Sequence, residues 1–207
     1  MYTSPEFQPC AESFSDKYAF VGPSIRLAET TFEKTKEKLI YISMGTVNND
    51  MTTFYKNCID ALGSSDYQVV ISVGNQVDIK LLEEYVTSSN SRAEFCILPY
   101  VDQIAVLQKA DVFLTHCGMN SVSEALYFKV SLVMYPQTNE QKGVAFRVNE
   151  LGAGLYLTDE TVMGIQTAFH EVLENKEYQK HAAEISDSFA RCGGSKGAVQ
   201  KIIDTII

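Results

Sequence analysis

From Lys38 onward, short β-branched runs alternate with longer amphipathic stretches, and this alternation constrains the fold more than any other feature of the sequence. The runs are strand-sized and are bounded by Gly, Pro or Asn. They lie at residues 39–43, 68–73, 94–98, 111–115, 130–135 and 154–157. Between them, apolar residues recur at helical spacing. Such alternation predicts βαβ units and a parallel sheet with helices on both faces.

The two ends of the chain differ from this repeating middle. Residues 1–38 hold three of the five prolines and show no sustained periodicity, which predicts an extended lead-in. After residue 157 the pattern is helical, with helices expected at 162–173, at 178–191 and from 196, and with Gly193 and Gly194 ending the second of these. We therefore predict an α/β fold, with a Rossmann-like, doubly wound domain over residues 39–207.

Charge and cysteine content exclude several classes of protein. Seventeen Lys and Arg against 26 Asp and Glu give a net charge of −9, so no basic stripe is available to neutralise nucleic-acid phosphates. The five cysteines are far apart with no Cys-x-x-Cys pair, which favours reduced thiols over disulfides or a zinc site. No apolar run approaches the roughly 18 residues of a membrane-spanning helix, and no signal-peptide pattern precedes the domain. We expect a cytoplasmic protein with no membrane insertion.

The carboxyl ends of the first and fourth predicted strands should meet in one cleft. In the common doubly wound order 3-2-1-4-5-6 these strands are neighbours, and ligands bind where the strand order reverses. The chain leaves the first strand through Ser43, Met44, Gly45 and Thr46. It leaves the fourth through Thr-His-Cys-Gly-Met-Asn-Ser at residues 115–121. We therefore expect a binding site that includes both loops.

The loop after the fourth strand has the composition of an anion-binding turn. Gly118 permits a tight turn and a close approach of the backbone to a ligand. Asn120 and Ser121 are favoured at helix starts, where unpaired N–H groups and the helix dipole attract anions. His116 can donate a hydrogen bond to a phosphate oxygen, and Glu124 can accept both hydroxyls of a ribose. Together these residues indicate a site for a nucleoside diphosphate.

Structural interpretations of the same residues stay open. Asn120 and Ser121 can simply cap a helix, and Glu124, three residues after Ser121, would then complete a capping box. A histidine at a strand end can be a structural residue. Cys117 beside a helix start can be a thiol nucleophile, although its neighbour His116 should point the opposite way. The sequence contains neither the dinucleotide fingerprint Gly-x-Gly-x-x-Gly after the first strand nor a P-loop.

Segment 97–157, which contains the run THCGMNSVSEAL, resembles the donor-binding signature of family 1 glycosyltransferases of the GT-B fold. It is similar to that of bacterial macrolide-type UDP-glycosyltransferases, and the resemblance extends to the lead-in run FVGP at residues 20–23. It implies that residues 39–207 are the donor-binding, C-terminal domain of an inverting enzyme that transfers a hexosyl group from a UDP-sugar to a small molecule. The implied donor-binding residues are Gly45, Thr46, Tyr100, Val101, Gln103, His116, Gly118, Met119, Asn120, Ser121, Glu124, Glu140 and Gln141.

The resemblance assigns parts of the donor to these residues. Tyr100 stands where the family usually has a tryptophan that stacks on uracil, and the Val101 backbone would read the base. Gln103 and Glu124 would lie at the ribose. The Gly45–Thr46 loop, His116, Gly118, the Met119 backbone, Asn120 and Ser121 would hold the diphosphate. Glu140 and Gln141 would read the sugar hydroxyls; the family usually has Asp where this chain has Glu140, and Pro where it has Asp102.

The resemblance also implies what lies outside this chain. In the family, a preceding acceptor domain supplies the catalytic histidine base, so this chain by itself should be inactive and should need that missing N-terminal domain as its partner. The sequence shows no Asp-x-Asp metal motif, and we expect neither a metal nor a cofactor, the UDP-sugar being a co-substrate. Three other hypotheses stay open: a natural donor-binding subunit with a separate acceptor partner, a non-catalytic nucleotide-binding module, and a sugar-nucleotide epimerase.

Overall fold

Six parallel strands form one sheet in the order β3-β2-β1-β4-β5-β6 in a computed structural model of the chain. The structure describes residues 1–46 and 50–206, with side chains described as far as residue 204. The strands are β1 Leu39–Ser43, β2 Gln68–Ser72, β3 Glu94–Leu98, β4 Val112–Thr115, β5 Ser131–Met134 and β6 Gly154–Tyr156. The predicted α/β class and strand order are confirmed, and each strand lies within one or two residues of its predicted bounds.

Helices follow the strands and cover both faces of the sheet. They are α1 Thr52–Leu62, α2 Ile79–Ser88, α3 Gln103–Leu107, α4 Met119–Tyr127, α5 Asn139–Glu150, α6 Val162–Glu174, α7 Lys176–Arg191 and α8 Gly194–Ile206. Residues 47–49, in the loop compared above with the dinucleotide fingerprint, lie outside the described residues, as does residue 207. Among the described helices, none combines the length and hydropathy needed to span a membrane.

Two hydrophobic cores lie on opposite faces of the sheet because successive strand residues point to opposite sides. In β1, Ile40 and Ile42 face the core formed with α1, α2 and α6. Leu39 and Tyr41 face the core formed with α3, α4, α5 and α7. All four side chains are 0–1% exposed. A central strand that is buried on both faces reads as a continuous apolar run, which is why β1 could be predicted from its sequence.

Two helices begin earlier than the sequence indicated. α4 was expected from Ser121 but starts at Met119, and α8 was expected from Lys196 but starts at Gly194. Gly193 and Gly194 both have a left-handed backbone, with φ of 83° and 58°, and α8 starts at the second of them. The glycine pair therefore makes the break between the two helices, as the sequence predicted.

The lead-in packs along the domain surface and contains only a short 3₁₀ turn, Ala11–Ser13, within the described residues. Phe7 is 3% exposed and contacts the Phe189 ring edge-to-face at 5.7 Å. Arg147 on α5 donates from Nε to the Phe7 carbonyl at 2.8 Å. Further along, the Lys34 ammonium pairs with Asp111 at 2.6 Å, just before β4. The division of the chain at residue 38 stays a prediction.

Candidate functional site

The β1 and β4 carboxyl ends lie side by side, with Ser43 opposite Thr115 in the register. The loops after these strands border a cavity of about 330 Å³, which we call the switch-point cavity. Its described lining residues are Arg26, Tyr41, Ser43, Gly45, Thr46, Ser72, Gly74, Pro99, Tyr100, Val101, Gln103, His116, Ser121 and Glu124. Eight of the thirteen residues implied by the resemblance are among them, drawn from four separate stretches of the chain.

The turn between β4 and α4 presents the start of the helix to this cavity. The fully buried Thr115 accepts a hydrogen bond from the Cys117 amide through Oγ1 at 3.1 Å, and Cys117 adopts a left-handed φ of 66°. Gly118 is the N-cap, and the first amide to bond back to its carbonyl is that of Val122, at 3.0 Å. The amides of residues 119–121 therefore have no acceptor within the helix, and this terminus can bind an anion.

This geometry corrects the capping interpretation. Asn120 and Ser121 occupy the second and third helical positions and not the N-cap, because the turn at Cys117 starts the helix two residues earlier. Glu124 consequently lies in the second turn, too far from the N-cap for a capping box. Its carboxylate instead accepts a hydrogen bond from the side-chain amide of Gln103 at 2.6 Å.

His116 lies between two glycines that leave room for its ring. A Cβ placed on Gly45 would lie 2.7 Å from the imidazole Cε1, and one on Gly118 would lie 2.7 Å from Nε2. Burial lowers the pKa of His116, and the nearby Ser43 carbonyl and the charge of Glu140 oppose part of that effect. The imidazole is therefore neutral near pH 7 and would act on an anion as an N–H donor and not as a fixed charge.

Gln103 connects three elements at the centre of the cavity. Its Nε2 donates to Glu124 Oε2 at 2.6 Å and lies 3.3 Å from Ser121 Oγ, while its Oε1 accepts from the Tyr41 hydroxyl at 3.2 Å. The Tyr41 ring is 1% exposed and stacks on Phe113 at 4.6 Å between centroids. The two buried strands thus hold Gln103, and Gln103 in turn orients the Glu124 carboxylate.

Tyr100 and Val101 form the other end of the cavity, between β3 and α3. Tyr100 is 52% exposed, so a face of its ring is open to a planar ligand. Val101 is half-buried and packs against the core formed with α3, α4, α5 and α7. Tyr100 follows β3 and His116 follows β4, and two strands separate β3 from β4 in the sheet order, so the aromatic group and the imidazole of the cavity lie apart.

Some predicted residues lie elsewhere. The Met119 and Asn120 side chains line a neighbouring cavity of about 560 Å³ against the lead-in, which leaves only their backbone amides at the α4 terminus. Gln141 closes a capping box on α5, where its Oε1 accepts from the Gln137 and Thr138 amides at 2.8 and 3.1 Å. Glu140 is exposed beside it. A role of Gln141 in reading a sugar is therefore limited to its amide nitrogen.

Cys117 does not have the surroundings of a nucleophile. The thiol is fully buried in the core formed with α3, α4, α5 and α7, and Cys117 does not line the cavity that His116 lines. Burial raises the pKa of the Cys117 thiol to about 12. A thiolate is the reactive form of cysteine, so this residue is inert at neutral pH.

The sequence interpretation missed several cavity residues. Tyr41 and Ser72 lie inside strands, where the sequence pattern indicates only core, and Arg26 comes from the lead-in. The hydroxyl of Tyr41, on an otherwise apolar strand, could have indicated that this side chain has a polar partner. Nothing in the local sequence places Arg26 at a cavity whose other lining residues extend from Tyr41 to Glu124, since only the folded lead-in brings it there.

Asp102, at the N-cap of α3, ties the lead-in to this cavity. Its side chain is 7% exposed and accepts from Arg26 Nη2 at 2.5 Å and from the Glu29 and Thr30 amides at 2.6 and 2.9 Å. Burial acts to raise the pKa of Asp102, but the hydrogen bonds from Thr30, Arg26 and Glu29 outweigh it and lower that pKa to about 2. The lead-in is held here by one carboxylate, at the position where the related pattern usually has proline.

We expect Asp102→Asn to lower the free energy of unfolding by about 1–2 kcal/mol at pH 7, a value reduced because Arg26 is partly exposed to solvent. Because the folded-state pKa lies below the ordinary value of 3.8, this stabilisation is present above about pH 4 and is lost as the pH falls toward 2. Urea titrations of both proteins between pH 7 and 3 test this. A difference in stability that stayed constant to pH 3 would contradict the assignment.

No group of three or more His, Cys, Asp or Glu side chains that could hold a metal ion occurs in the described part of the chain. The polar groups that converge on the switch-point cavity are amides, hydroxyls, one carboxylate, one imidazole and one guanidinium. This set is suited to an organic ligand with hydroxyls and an anionic portion.

Relatives of known sequence and structure match this chain along nearly its whole length. It is 36% identical over 213 residues to the uncharacterized UDP-glucosyltransferase YojK of Bacillus subtilis, covering 100% of this chain and 51% of the relative. It is 37% identical to the NDP-glycosyltransferase YjiC of the same species, and the match covers 98% of this chain and 52% of that relative. The crystal structure of the glycotransferase of kitacinnamycin superposes with a TM-score of 0.86 at 26% identity, and the match covers 99% of this chain and 54% of that protein.

The match is thus to a part of these proteins, and the chain spans about half the length of the curated relatives it resembles. The calicheamicin glycosyltransferase CalG4, at 24% identity and a TM-score of 0.86, shares the fold, which is the α/β architecture of GT-B glycosyltransferases. The family model described as UDP-glucoronosyl and UDP-glucosyl transferase matches residues 23–189. With most of its length inside that match, the chain belongs to the UDP-glucuronosyl and UDP-glucosyl transferase family.

Proposed function

We propose that this chain is the donor-binding half of an inverting glycosyltransferase that uses a UDP-sugar and transfers a hexosyl group to a small-molecule acceptor. One observation supports the proposal: a single cavity, at the N-terminus of α4, is lined by Tyr100, Gln103, Glu124 and His116. An aromatic face suits a base, a carboxylate suits a ribose diol, and helix amides suit phosphates.

At the phosphate end, the chain supplies neutral donors. The amides of residues 119–121 and the positive end of the α4 dipole would stabilise the charge that develops on the departing diphosphate. His116 would donate one further hydrogen bond from its neutral imidazole, held in place by Gly45 and Gly118. These groups are fixed before the donor binds, so little reorganisation is needed as charge builds up.

At the sugar end, Glu140 is exposed near the start of α5, and its charge acts on His116. It would accept hydrogen bonds from the hydroxyls of the transferred sugar. No step of proton removal from the acceptor is assigned to this chain, because the base would belong to a preceding acceptor domain. We propose that the reaction is metal-independent and that this half by itself binds the donor without transferring the sugar.

A thermal melt with UDP tests the proposal. A ligand that binds only the folded protein adds about 2.7 kcal/mol at a hundredfold excess over its Kd, which for a chain of this size raises the Tm by about 5–10 °C. We expect such a rise with millimolar UDP, and a rise of less than about 2 °C with AMP or NAD. No rise with UDP, or an equal rise with AMP, would contradict a UDP-sugar donor site.

Glu124→Gln should separate ribose binding from a structural role. The carboxylate can accept from both ribose hydroxyls, whereas the amide offers a single acceptor oxygen. We expect about tenfold weaker binding of UDP and less than a threefold change for 2′-deoxy-UDP, measured by titration calorimetry. Glu83→Gln, on the exposed face of α2, is the control and should leave both affinities unchanged. Equal losses for the two nucleotides would mean that Glu124 acts only by holding Gln103.

A further inference from the structure

Arg26 brings a permanent positive charge to the switch-point cavity. Within the part of the cavity wall that the structure describes, the basic side chains are Arg26 and His116, and burial lowers the pKa of His116. An arginine stays protonated at any physiological pH. In a chain with a net charge of −9, a single fixed cation inside a cavity is a feature that requires an explanation.

Arg26 is held in place by protein groups that leave much of its guanidinium available. Nη2 donates to Asp102 at 2.5 Å and Nη1 donates to the Leu27 carbonyl at 3.0 Å. Glu29 Oε1 also lies 3.7 Å from Nη1. A guanidinium has five N–H groups, so these contacts leave part of it available to a ligand. The side chain is 44% exposed and faces the cavity, where its charge also interacts with that of Glu124.

The anchor fixes the end of the cavity at which Arg26 lies. Asp102 follows Tyr100 and Val101 directly, and it begins the helix that carries Gln103. Arg26 therefore lies near the end of β3, where Tyr100 is, and its charge interacts with that of Glu124, whereas His116 follows β4, which two strands separate from β3. A cation at this end is poorly placed for the diphosphate and well placed for the edge of the base.

We propose that Arg26 is a donor-binding residue that recognises the nucleobase, donating its remaining N–H groups to a base carbonyl oxygen, with Asp102 as its positioning residue. The inference rests on the proposed function and extends it. Planar N–H groups match the carbonyl edges that uracil and thymine present, and adenine has no carbonyl to accept them. The lead-in thus completes a base pocket that β3 and α3 leave open on one side.

Binding of UDP and of uridine to Arg26→Ala tests this assignment, with calorimetry for UDP and ligand-observed NMR for uridine. We expect both ligands to bind about tenfold more weakly, by the same factor, because the lost contact is to the base that they share. Arg26→Lys should lose nearly as much, since an ammonium cannot reproduce the planar fork between Asp102 and the base. Lys36→Ala, which removes an exposed ion pair with Asp66, is the matched control and should change neither affinity.

The fold of each variant is checked by its thermal melt, and Asp102 keeps the Glu29 and Thr30 amides as donors when Arg26 is replaced. A loss confined to UDP would overturn the inference, because it would place the contact at the phosphates. Unchanged binding of both ligands would overturn it as well. If the unmodified protein binds neither UDP nor uridine, the proposed function itself fails, and this inference fails with it.

Discussion

Gly118→Ala is expected to weaken UDP binding by about 100-fold while the protein stays folded. The φ of −60° at Gly118 is open to alanine, so the backbone carries no strain. The new Cβ would lie 2.7 Å from the His116 Nε2, and Gly45 packs closely against the other side of the ring. The imidazole must then move into the cavity, which would remove the hydrogen bond that we propose it donates to the phosphates and would obstruct the helix amides. Calorimetry with UDP measures the effect.

Gly143→Ala is the matched control for this substitution. Gly143 lies inside α5, and an added Cβ would have no atom within 4 Å among the described residues. Alanine favours a helix over glycine by up to about 1 kcal/mol, so this variant should bind UDP normally and be slightly more stable. A Gly118→Ala protein that bound UDP within threefold of the unmodified chain would show that the His116 position does not matter for the donor.

Phe169→Ala is expected to lower the free energy of unfolding by about 3–5 kcal/mol, the range for removing a buried aromatic ring. Phe169 is 1% exposed and lies in the core that α6 and α1 form on one face of the sheet. This core also contains Ile40 and Ile42 of β1, and the loop with Gly45 that follows β1 lines the cavity. Urea titration measures the loss, which should appear as a lower midpoint with an unchanged slope.

Phe146→Ala is the control, because it makes the same substitution at an exposed position. Phe146 is 63% exposed on α5, so its truncation removes little apolar surface from contact with the protein. We expect a change within about 0.5 kcal/mol. If both phenylalanines cost the same amount, burial would not be the cause of the Phe169 effect, and the packing of α6 against the sheet would need revision.

The strands and their order could be predicted because each is a short apolar run buried on both faces. The β1 run, Leu39–Ser43, has its predicted bounds, and β4 differs from its prediction only at the first residue. Parallel sheets require helical crossovers, and the handedness of those crossovers leaves few topologies. The position of the switch-point cavity at the β1 and β4 ends follows from that order, which is why the loop after β4 could be expected to line it from the sequence.

The start of α4 shows where local patterns were insufficient. Asn120 and Ser121 are good capping residues, yet Gly118 is the N-cap because Thr115 holds the Cys117 amide in a left-handed turn. That hydrogen bond depends on a buried hydroxyl at the end of a strand, and its partner cannot be read from residue preferences. For Gln141, in turn, the structure shows a capping box that the resemblance to a sugar-reading residue did not anticipate.

By itself, the sequence determined the sheet, its strand order, the loop that follows β4 and the family resemblance, since these depend on apolar periodicity and on residues that are close in the chain. The tertiary structure alone decided how the lead-in completes the cavity. Arg26 and Asp102 are 76 residues apart and meet at 2.5 Å. Contacts over such separations depend on the path of the folded backbone, because no local preference encodes which distant carboxylate a surface arginine will reach.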